Sequence, residues 1–373
     1  PRSTQSRSSA ASDVYKRQSV YNAVNKWSNV EKVYVMWSEP NRYEVVHNTL
    51  DPSVKKDESV TYSRWDQDFD WNTFYGGHYY NDKHEYYVRH FQNERQNDIR
   101  TLERILFTQM YLEKNNIEYI VCFGGYISLP VGLSAWICRK PLFLHEQNAI
   151  MGTSNKALMK FSKLIFLGFS INEQVTKKMM LVGNPINKLN KNSPVTHKHE
   201  PLRIYITGGS QGSEFINQNI PSALNALKIP LEVRHQTGNG KSSGVKELYS
   251  NHISVDVKEL YDLQQDSIVW SDFIISRAGA LSLSEAISLK RGSLMIPLPS
   301  AIDNHQLLNA KYISDLDMGL IHTELESFKS LSQKLKHIIE KKLYLKWTKT
   351  ETNLDHFQAA ATMLSSILKF KNI

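Results

Sequence analysis

The residues of this chain that could do chemistry are mostly glycines, amides and one carboxylate, placed where apolar runs give way to helical patterns. Thr207-Gly208-Gly209-Ser210-Gln211-Gly212 follows a strand-like run and opens a helix. Glycines let a backbone approach a ligand closely, and the free amides of a helix start favour phosphate. A tight turn with no ligand would use the same residues. Arg277-Ala278-Gly279-Ala280-Leu281-Ser282-Leu283-Ser284-Glu285 is a second such turn. Its Ser282 and Glu285 form an S-x-x-E capping box. Glu285 could instead accept two hydrogen bonds from ribose hydroxyls. The two readings compete for one side chain, and in isolation the cap is the stronger. In Asp303-Asn304-His305-Gln306-Leu307-Leu308-Asn309, Gln306 and Asn309 are three apart and share a helix face. Amides there suit a sugar, or simply a solvated face. His145-Glu146-Gln147-Asn148 closes another apolar run. His145 and Glu146 are candidate general acid and base groups, with turn chemistry as the alternative. His235-Gln236-Thr237-Gly238 also ends a strand and says little alone.

The elements around these segments alternate between strand and helix. Residues 31–37 and 117–123 read as strands, with residues 43–46 continuing the first or starting another. Ile99, Leu102, Leu106 and Met110 recur at helical spacing, so a helix is expected to run to about residue 114. Gly124-Gly125-Tyr126 turns the chain into another helix, and 141–144 is the next strand. Residues 51–82 are aromatic, acidic and poorly periodic, and no element is assigned to them. The polar, two-proline stretch 190–201 is the best linker. Alternation then restarts. Strands are expected at 202–206, 232–235, 273–276 and 293–297, helices at 215–227 and 283–289, and an amphipathic helix on Leu354, Phe357, Ala361, Leu364 and Ile367. This pattern predicts an α/β protein of two Rossmann-like domains with a cleft between them. The division is a first domain over 19–189, a linker over 190–201, a second domain over 202–350, and a C-terminal helix over 351–373 that could pack back on the first domain.

Composition narrows the partners. Of 373 residues, 41% are hydrophobic and 22% charged, a globular balance. The net charge of +8 suits phosphate groups or an acidic membrane surface. There is no long Lys/Arg block and no Cys/His zinc spacing, so nucleic acid is not expected as a partner. The two cysteines, Cys122 and Cys138, lie in apolar runs and read as buried small hydrophobes. Residues 119–138 carry no charge, but Gly124, Gly125, Ser128, Pro130 and Gly132 favour a strand, a turn and a short helix over a membrane span. Residues 1–18 are polar, rich in Ser and read as a cloning or sequencing remnant.

Taken together and in order, the motifs above, with Gly183-Asn184-Pro185, resemble the MurG family of bacterial glycosyltransferases over about residues 99–320. The resemblance implies a GT-B fold: an acceptor domain that associates with the membrane, then a domain that binds the donor. It implies transfer of N-acetylglucosamine from UDP-N-acetylglucosamine to lipid I, the undecaprenyl-diphosphate-linked muramyl-pentapeptide, to form lipid II. Ser210, with Gln211 beside it, would contact the donor's phosphate region. Tyr261, or Leu260 with the other spacing, would meet the uracil through its backbone. Residues 280–285, that is Ala280, Leu281, Ser282, Leu283, Ser284 and Glu285, would hold the diphosphate and ribose. Gln306 and Asn309 would hold sugar hydroxyls, and Asn148 would lie on the acceptor side. No Asp-x-Asp pair falls in the right turn, since Asp66, Asp68 and Asp70 lie in the unassigned segment. Inverting transfer with no metal and no cofactor is therefore expected, with a helix N-terminus stabilising the departing UDP.

Two features depart from that family. Its N-terminal glycine loop, G-G-T-G-G-H, is absent, and Tyr75-Gly76-Gly77-His78 lacks a preceding strand and lies too close to Gly124 to replace it. A truncated start explains this better than true divergence. Secondly, Ile186-Asn187 follows Gly183-Asn184-Pro185 where the family usually has an Arg, so one cationic contact is lost or supplied by Lys188. The expected enzyme is peripheral on the cytoplasmic face of the bacterial inner membrane. The alternatives are a related UDP-sugar transferase with another lipid acceptor, and a donor-binding chain without turnover.

Overall fold

A computed structural model describes residues 117–171, 175–187, 199–352 and 354–370, five helical residues between 105 and 112, and the backbone of two earlier strands. The segments 1–18 and 51–82, residues 75–78 and most of the 190–201 linker lie outside the described residues. Of the helix expected on 99–114, the described residues are helical.

The first sheet is built from β1 (Lys32–Met36), β2 (Tyr43–His47), β3 (Ile120–Cys122), β4 (Leu142–Glu146), β5 (Leu164–Leu167) and β6 (Met179–Leu181). They lie in the order β2-β1-β3-β4-β5-β6. Residues 43–47 form a strand of their own, antiparallel to β1, while β1, β3 and β4 run parallel. The uncharged stretch 119–138 resolves into β3, a turn and the ten-residue helix α1 (Ser128–Ile137). Gly124 and Gly125 make that turn at φ +79° and +76°, a region glycine enters freely. Among the described residues no helix is long and apolar enough to cross a membrane. The short α2 (Thr153–Leu158) packs against α1, with Leu158 seated where Gly132 has no side chain. Cys122 is buried in this layer, and burial pushes its thiol up to about 12, so it stays protonated and inert; Cys138 is only half-buried.

The second sheet is wholly parallel. Its strands are β7 (Leu202–Thr207), β8 (Leu231–Gln236), β9 (Ile253–Lys258), β10 (Phe273–Ser276), β11 (Ser293–Met295) and β12 (Gly319–Ile321), in the order β12-β11-β10-β7-β8-β9. Its helices are α3 (Glu214–Asn225), α4 (Gln264–Trp270), α5 (Ala280–Ser288), α6 (His305–Asp315), α7 (Phe328–Glu340), α8 (Leu343–Trp347) and α9 (Ala359–Lys369). The strands are short apolar runs because both faces are covered. Ile204, Ile206, Val233, Phe273 and Ile275 meet Ile216, Ile220 and Leu224 of α3 and Leu331 and Leu335 of α7. The last helix begins at Ala359, behind a 3₁₀ turn at His356–Gln358, not at Leu354 as its apolar spacing suggested. Asp355 causes the delay, because its carboxylate accepts from Phe357 N–H at 2.9 Å and caps that turn first.

The chain divides into two compact units. Among the described residues, one holds β1 to β3, α1 and the chain to His145 together with Gly152–Ile165; the other holds Glu146–Met151 and the described residues from Phe166 onward. Glu146–Met151 and residues 166–171 and 175–187, grouped with the first domain on sequence, thus belong to the larger compact unit, although β5 and β6 are strands of the first sheet.

Candidate functional site

In the larger unit the chain winds from β7 outward to β9, then returns to β10 and winds the other way to β12. The switch in direction lies between β7 and β10, which are neighbours. Ligands of open parallel sheets bind beyond the carboxyl ends of the strands at such a point. Both glycine turns singled out from the sequence sit there: residues 208–212 follow β7, and residues 277–279 follow β10.

The first turn is fixed from below. A Cβ on Gly212, at φ +71°, would lie only 1.8 Å from Thr237 O, so the turn after β7 interlocks with the turn after β8. Gln236 fastens the pair. Its Nε2 donates to Thr207 Oγ1 (3.1 Å) and Gly209 O (3.3 Å), while its Oε1 accepts from Tyr261 N–H at 3.1 Å. His235 is fully buried between Tyr249 Oη (2.8 Å) and Asn217 Oδ1 (3.1 Å), and burial pushes it down to about 4, so the ring is a neutral brace. Above this frame Gly209, at φ +83°, faces open space, with Ser210 half-buried and Gln211 exposed beside it. Ser213 caps α3 by accepting from Ile216 N–H.

The second turn corrects the capping-box reading. α5 starts at Ala280, three residues before the helix start that the sequence suggested, and its N-cap is Gly279 in an extended conformation with no side-chain cap. Ser282 and Glu285 therefore lie inside the helix, one turn apart on one face. Gln264 Nε2 contacts Ser282 Oγ at 3.4 Å, and Gln265 Nε2 donates to Glu285 Oε1 at 3.0 Å. No helical carbonyl precedes the amides of residues 280–282, and nothing lies within 4 Å of a Cβ built on Gly279. The first turn of α5 is thus an uncapped positive helix end, with open space beside its N-cap Gly279. Arg277 anchors the turn from behind, donating to Ile296 O at 3.1 Å and pairing with Glu324 at 2.5 Å. Glu285 is 7% exposed, and burial raises its carboxyl to about 7, with the Gln265 hydrogen bond acting the other way.

Asp303 and Asn304 both take positive φ, +52° and +53°, in the turn that opens α6. Asp and Asn tolerate that region better than other side chains, which is why this pair precedes the helix. Gln306 and Asn309 then diverge in role. Gln306 Oε1 accepts from Leu298 N–H at 3.0 Å and holds the loop after β11. Asn309 is completely buried: its Oδ1 accepts from Ala149 N–H (2.8 Å), and its Nδ2 donates to Asn148 Oδ1 (3.1 Å) and Ala278 O (3.2 Å). Asn148 in turn donates to Glu146 Oε1 from its backbone (3.1 Å) and from Nδ2 (3.2 Å). His145 and Glu146 fall within β4 rather than after it and are 1% and 4% exposed. Asn184, absent from the sequence-based site, reaches Gln147 O and Ser284 Oγ through Nδ2.

Two family models match the chain: residues 49–167 match the glycosyltransferase family 28 N-terminal domain, and residues 203–364 match the glycosyltransferase family 28 C-terminal domain. The chain belongs to glycosyltransferase family 28. A curated relative from Aeromonas hydrophila, named UDP-N-acetylglucosamine--N-acetylmuramyl-(pentapeptide) pyrophosphoryl-undecaprenol N-acetylglucosamine transferase, is 34% identical over 220 residues, 58% of this chain and 61% of its own length. One of the same name from Coxiella burnetii is 35% identical over 215 residues, 56% of this chain and 60% of its own. The chain thus spans about three-fifths of the length of these relatives. Among solved structures, Acinetobacter baumannii MurG superposes with a TM-score of 0.64 at 26% identity, covering 73% of this chain and 80% of that one. The calicheamicin glycosyltransferase CalG4, at 10% identity and TM-score 0.52, covers 78% of this chain and 84% of that one and shares the fold.

In this family 28 chain, the glycine turns, residues 280–285, Tyr261, Gln306, Asn309, Asn148 and Glu146 all fall in the larger unit. The site's internal braces were the harder residues to find. Gln236 and Asn184 sat in motifs that resembled the family but had no assigned task, and Gln265 gave no sequence signal.

Proposed function

We propose that the chain transfers N-acetylglucosamine from UDP-N-acetylglucosamine to lipid I, giving lipid II and UDP. The observation that carries this reading is the pair of open glycine turns flanking the β7/β10 switch, with the buried carboxylate of Glu285 one helical turn beyond the second. The amides of Ala280, Leu281 and Ser282 would face the diphosphate, and Ser210 and Gln211 would close over it from the first turn. Glu285 would accept the ribose hydroxyls. Tyr261 would meet the uracil, carried on a segment that Gln236 holds in place. Gln306 would face the sugar, with its carbonyl already fixed by Leu298 N–H.

In the reaction the bond from the sugar's anomeric carbon to the diphosphate breaks, a bond from that carbon to the acceptor hydroxyl's oxygen forms, and that hydroxyl's proton is released to solvent. Charge grows on the departing diphosphate. An uncapped helix end stabilises charge that appears only as the reaction proceeds, and it needs no rearrangement to do so. We assign Glu146 the support of the Asn148 turn, from whose amides it accepts, and neither His145 nor Glu146 the role of general base, because a general base must touch the proton it takes and both side chains are buried. Asn309, fully bonded within the protein, supports the same turn.

Peripheral binding to an anionic membrane, at the cytoplasmic face of the bacterial inner membrane, fits the +8 net charge. It also fits the exposed Trp136 and Ile137 at the end of α1, which lead into Arg139 and Lys140. The test is transfer of labelled N-acetylglucosamine to a lipid I analogue. A labelled lipid II product is expected. Donor binding without transfer would favour the donor-binding alternative, and transfer only to another lipid would move the acceptor assignment.

A further inference from the structure

Glu285 lies where a carboxylate is of use only when charged, yet its surroundings disfavour charge. It is buried on α5, and the elements packed against α5 are α4, α6 and the 3₁₀ turn at His356–Gln358. Their titratable groups are Asp266 on α4; His305, Lys311, Tyr312 and Asp315 on α6; and Asp355 and His356 at the turn. Asp266, Lys311 and Asp315 are exposed to solvent, and His356 Nδ1 accepts from Asn184 N–H at 2.8 Å. Burial is the larger influence on the Glu285 carboxyl, and the side chain set against it is the neutral amide of Gln265.

Gln265 is itself 5% exposed and sits in the first turn of α4. Its Nε2 donates to Glu285 Oε1 at 3.0 Å and to Asn187 O at 2.9 Å. An amide NH2 has two hydrogens, so both are engaged. One favours the carboxylate; the other fixes the amide to the backbone just past Gly183-Asn184-Pro185. We propose that Gln265 is a positioning residue of the donor site, holding Glu285 ionised and aimed for a ribose by tying it to the backbone at Asn187. This rests on the reading of Glu285 as the ribose acceptor.

The physical consequence is a pH-dependent donor affinity whose midpoint Gln265 sets. A hydrogen bond donated to the charged form favours it, so removing the donor should move the loss of affinity to higher pH. The experiment is calorimetric titration of UDP into the full chain between pH 5.5 and 9, for the parent, Gln265→Met, Gln265→Glu and Glu285→Gln. The parent should bind UDP more weakly as pH falls through about 7. Gln265→Met, close in shape but without a donor, should shift that midpoint upward by about one pH unit. It should bind several-fold more weakly at pH 7 and approach the parent at pH 9. Gln265→Glu should shift the midpoint in the same direction, and it provides the readout if the Met variant does not fold. A folded Gln265 variant whose pH profile superimposes on the parent's overturns the proposal. Loss of UDP binding by the parent at every pH, or parental binding by Glu285→Gln, instead overturns the ribose assignment beneath it, and the proposal with it.

Discussion

Asn184 donates from Nδ2 to Ser284 Oγ at 2.9 Å, joining residues one hundred positions apart. The same nitrogen donates to Gln147 O at 3.0 Å, and the Asn184 backbone amide donates to His356 Nδ1. One fully buried side chain thus links the turn at Gln147–Asn148 to α5, while its backbone holds the C-terminal 3₁₀ turn. Asn184→Ala should cost roughly 1–3 kcal/mol, because the part-buried Gln147 O and the buried Ser284 Oγ both lose a partner. Asn184→Asp should cost more, since it sets an acceptor against that carbonyl. Denaturant titration of the three proteins checks the order.

Two glycines at the proposed site separate folding from binding. Gly279 has ordinary φ and open space around it, whereas Gly212 has positive φ and lies against Thr237 O. Gly279→Ala should therefore leave the melting temperature nearly unchanged yet weaken UDP binding about tenfold or more, because the new methyl would stand where the diphosphate approaches. Gly212→Ala should destabilise the fold by more than about 2 kcal/mol. Thermal melts and calorimetry on both variants decide this.

Glu285 trades stability for binding. Its folded value, about 7, lies above that of an exposed glutamate, so the folded chain holds a proton that the unfolded chain releases. The stability this contributes is complete below the unfolded value and is lost as pH rises through about 7. Glu285→Gln should thus stabilise the unliganded chain at pH 8 by roughly 1–3 kcal/mol while weakening UDP binding. Denaturation at pH 5 and pH 8 should show the gain only at pH 8.

His235 works in the opposite sense. Burial lowers it to about 4, so the unfolded chain takes up a proton that the folded chain refuses. Its contribution is present above the unfolded value, near 6.5, and is lost as pH falls toward 4. His235→Gln should flatten the stability profile between those values, even if it lowers stability at pH 7 by disturbing the contacts with Tyr249 and Asn217.

The four inner strands of the larger sheet were legible because short apolar runs bounded by turns leave few alternatives: β10 fell on the residues expected, β7 and β8 ended within a residue of them, and β11 stopped two residues short, while the edge strands β9 and β12 were not expected because their residues carry no comparable apolar run. The start of α5 was misplaced because Ser282 and Glu285 satisfy the capping pattern locally. Only packing, with Gln264 and Gln265 of α4 reaching the same face, shows them inside the helix. Asn309 reads as a surface amide by its spacing from Gln306, but its partners Ala149 and Asn148 lie 160 and 161 residues away. Gln265 was invisible for the same reason: a buried amide is defined by what it touches, and sequence spacing along α4 does not encode Glu285 or Asn187.

A UDP-sugar site at the β7/β10 switch underlies every role assigned above. Its most direct test is calorimetric titration of UDP-N-acetylglucosamine into the full chain and into Gly279→Ala at pH 8. One molecule bound per chain, with affinity lost in a folded Gly279→Ala variant, is the predicted result. A folded parent chain that binds neither UDP-N-acetylglucosamine nor UDP, or an alanine variant that binds as tightly as the parent, would contradict it.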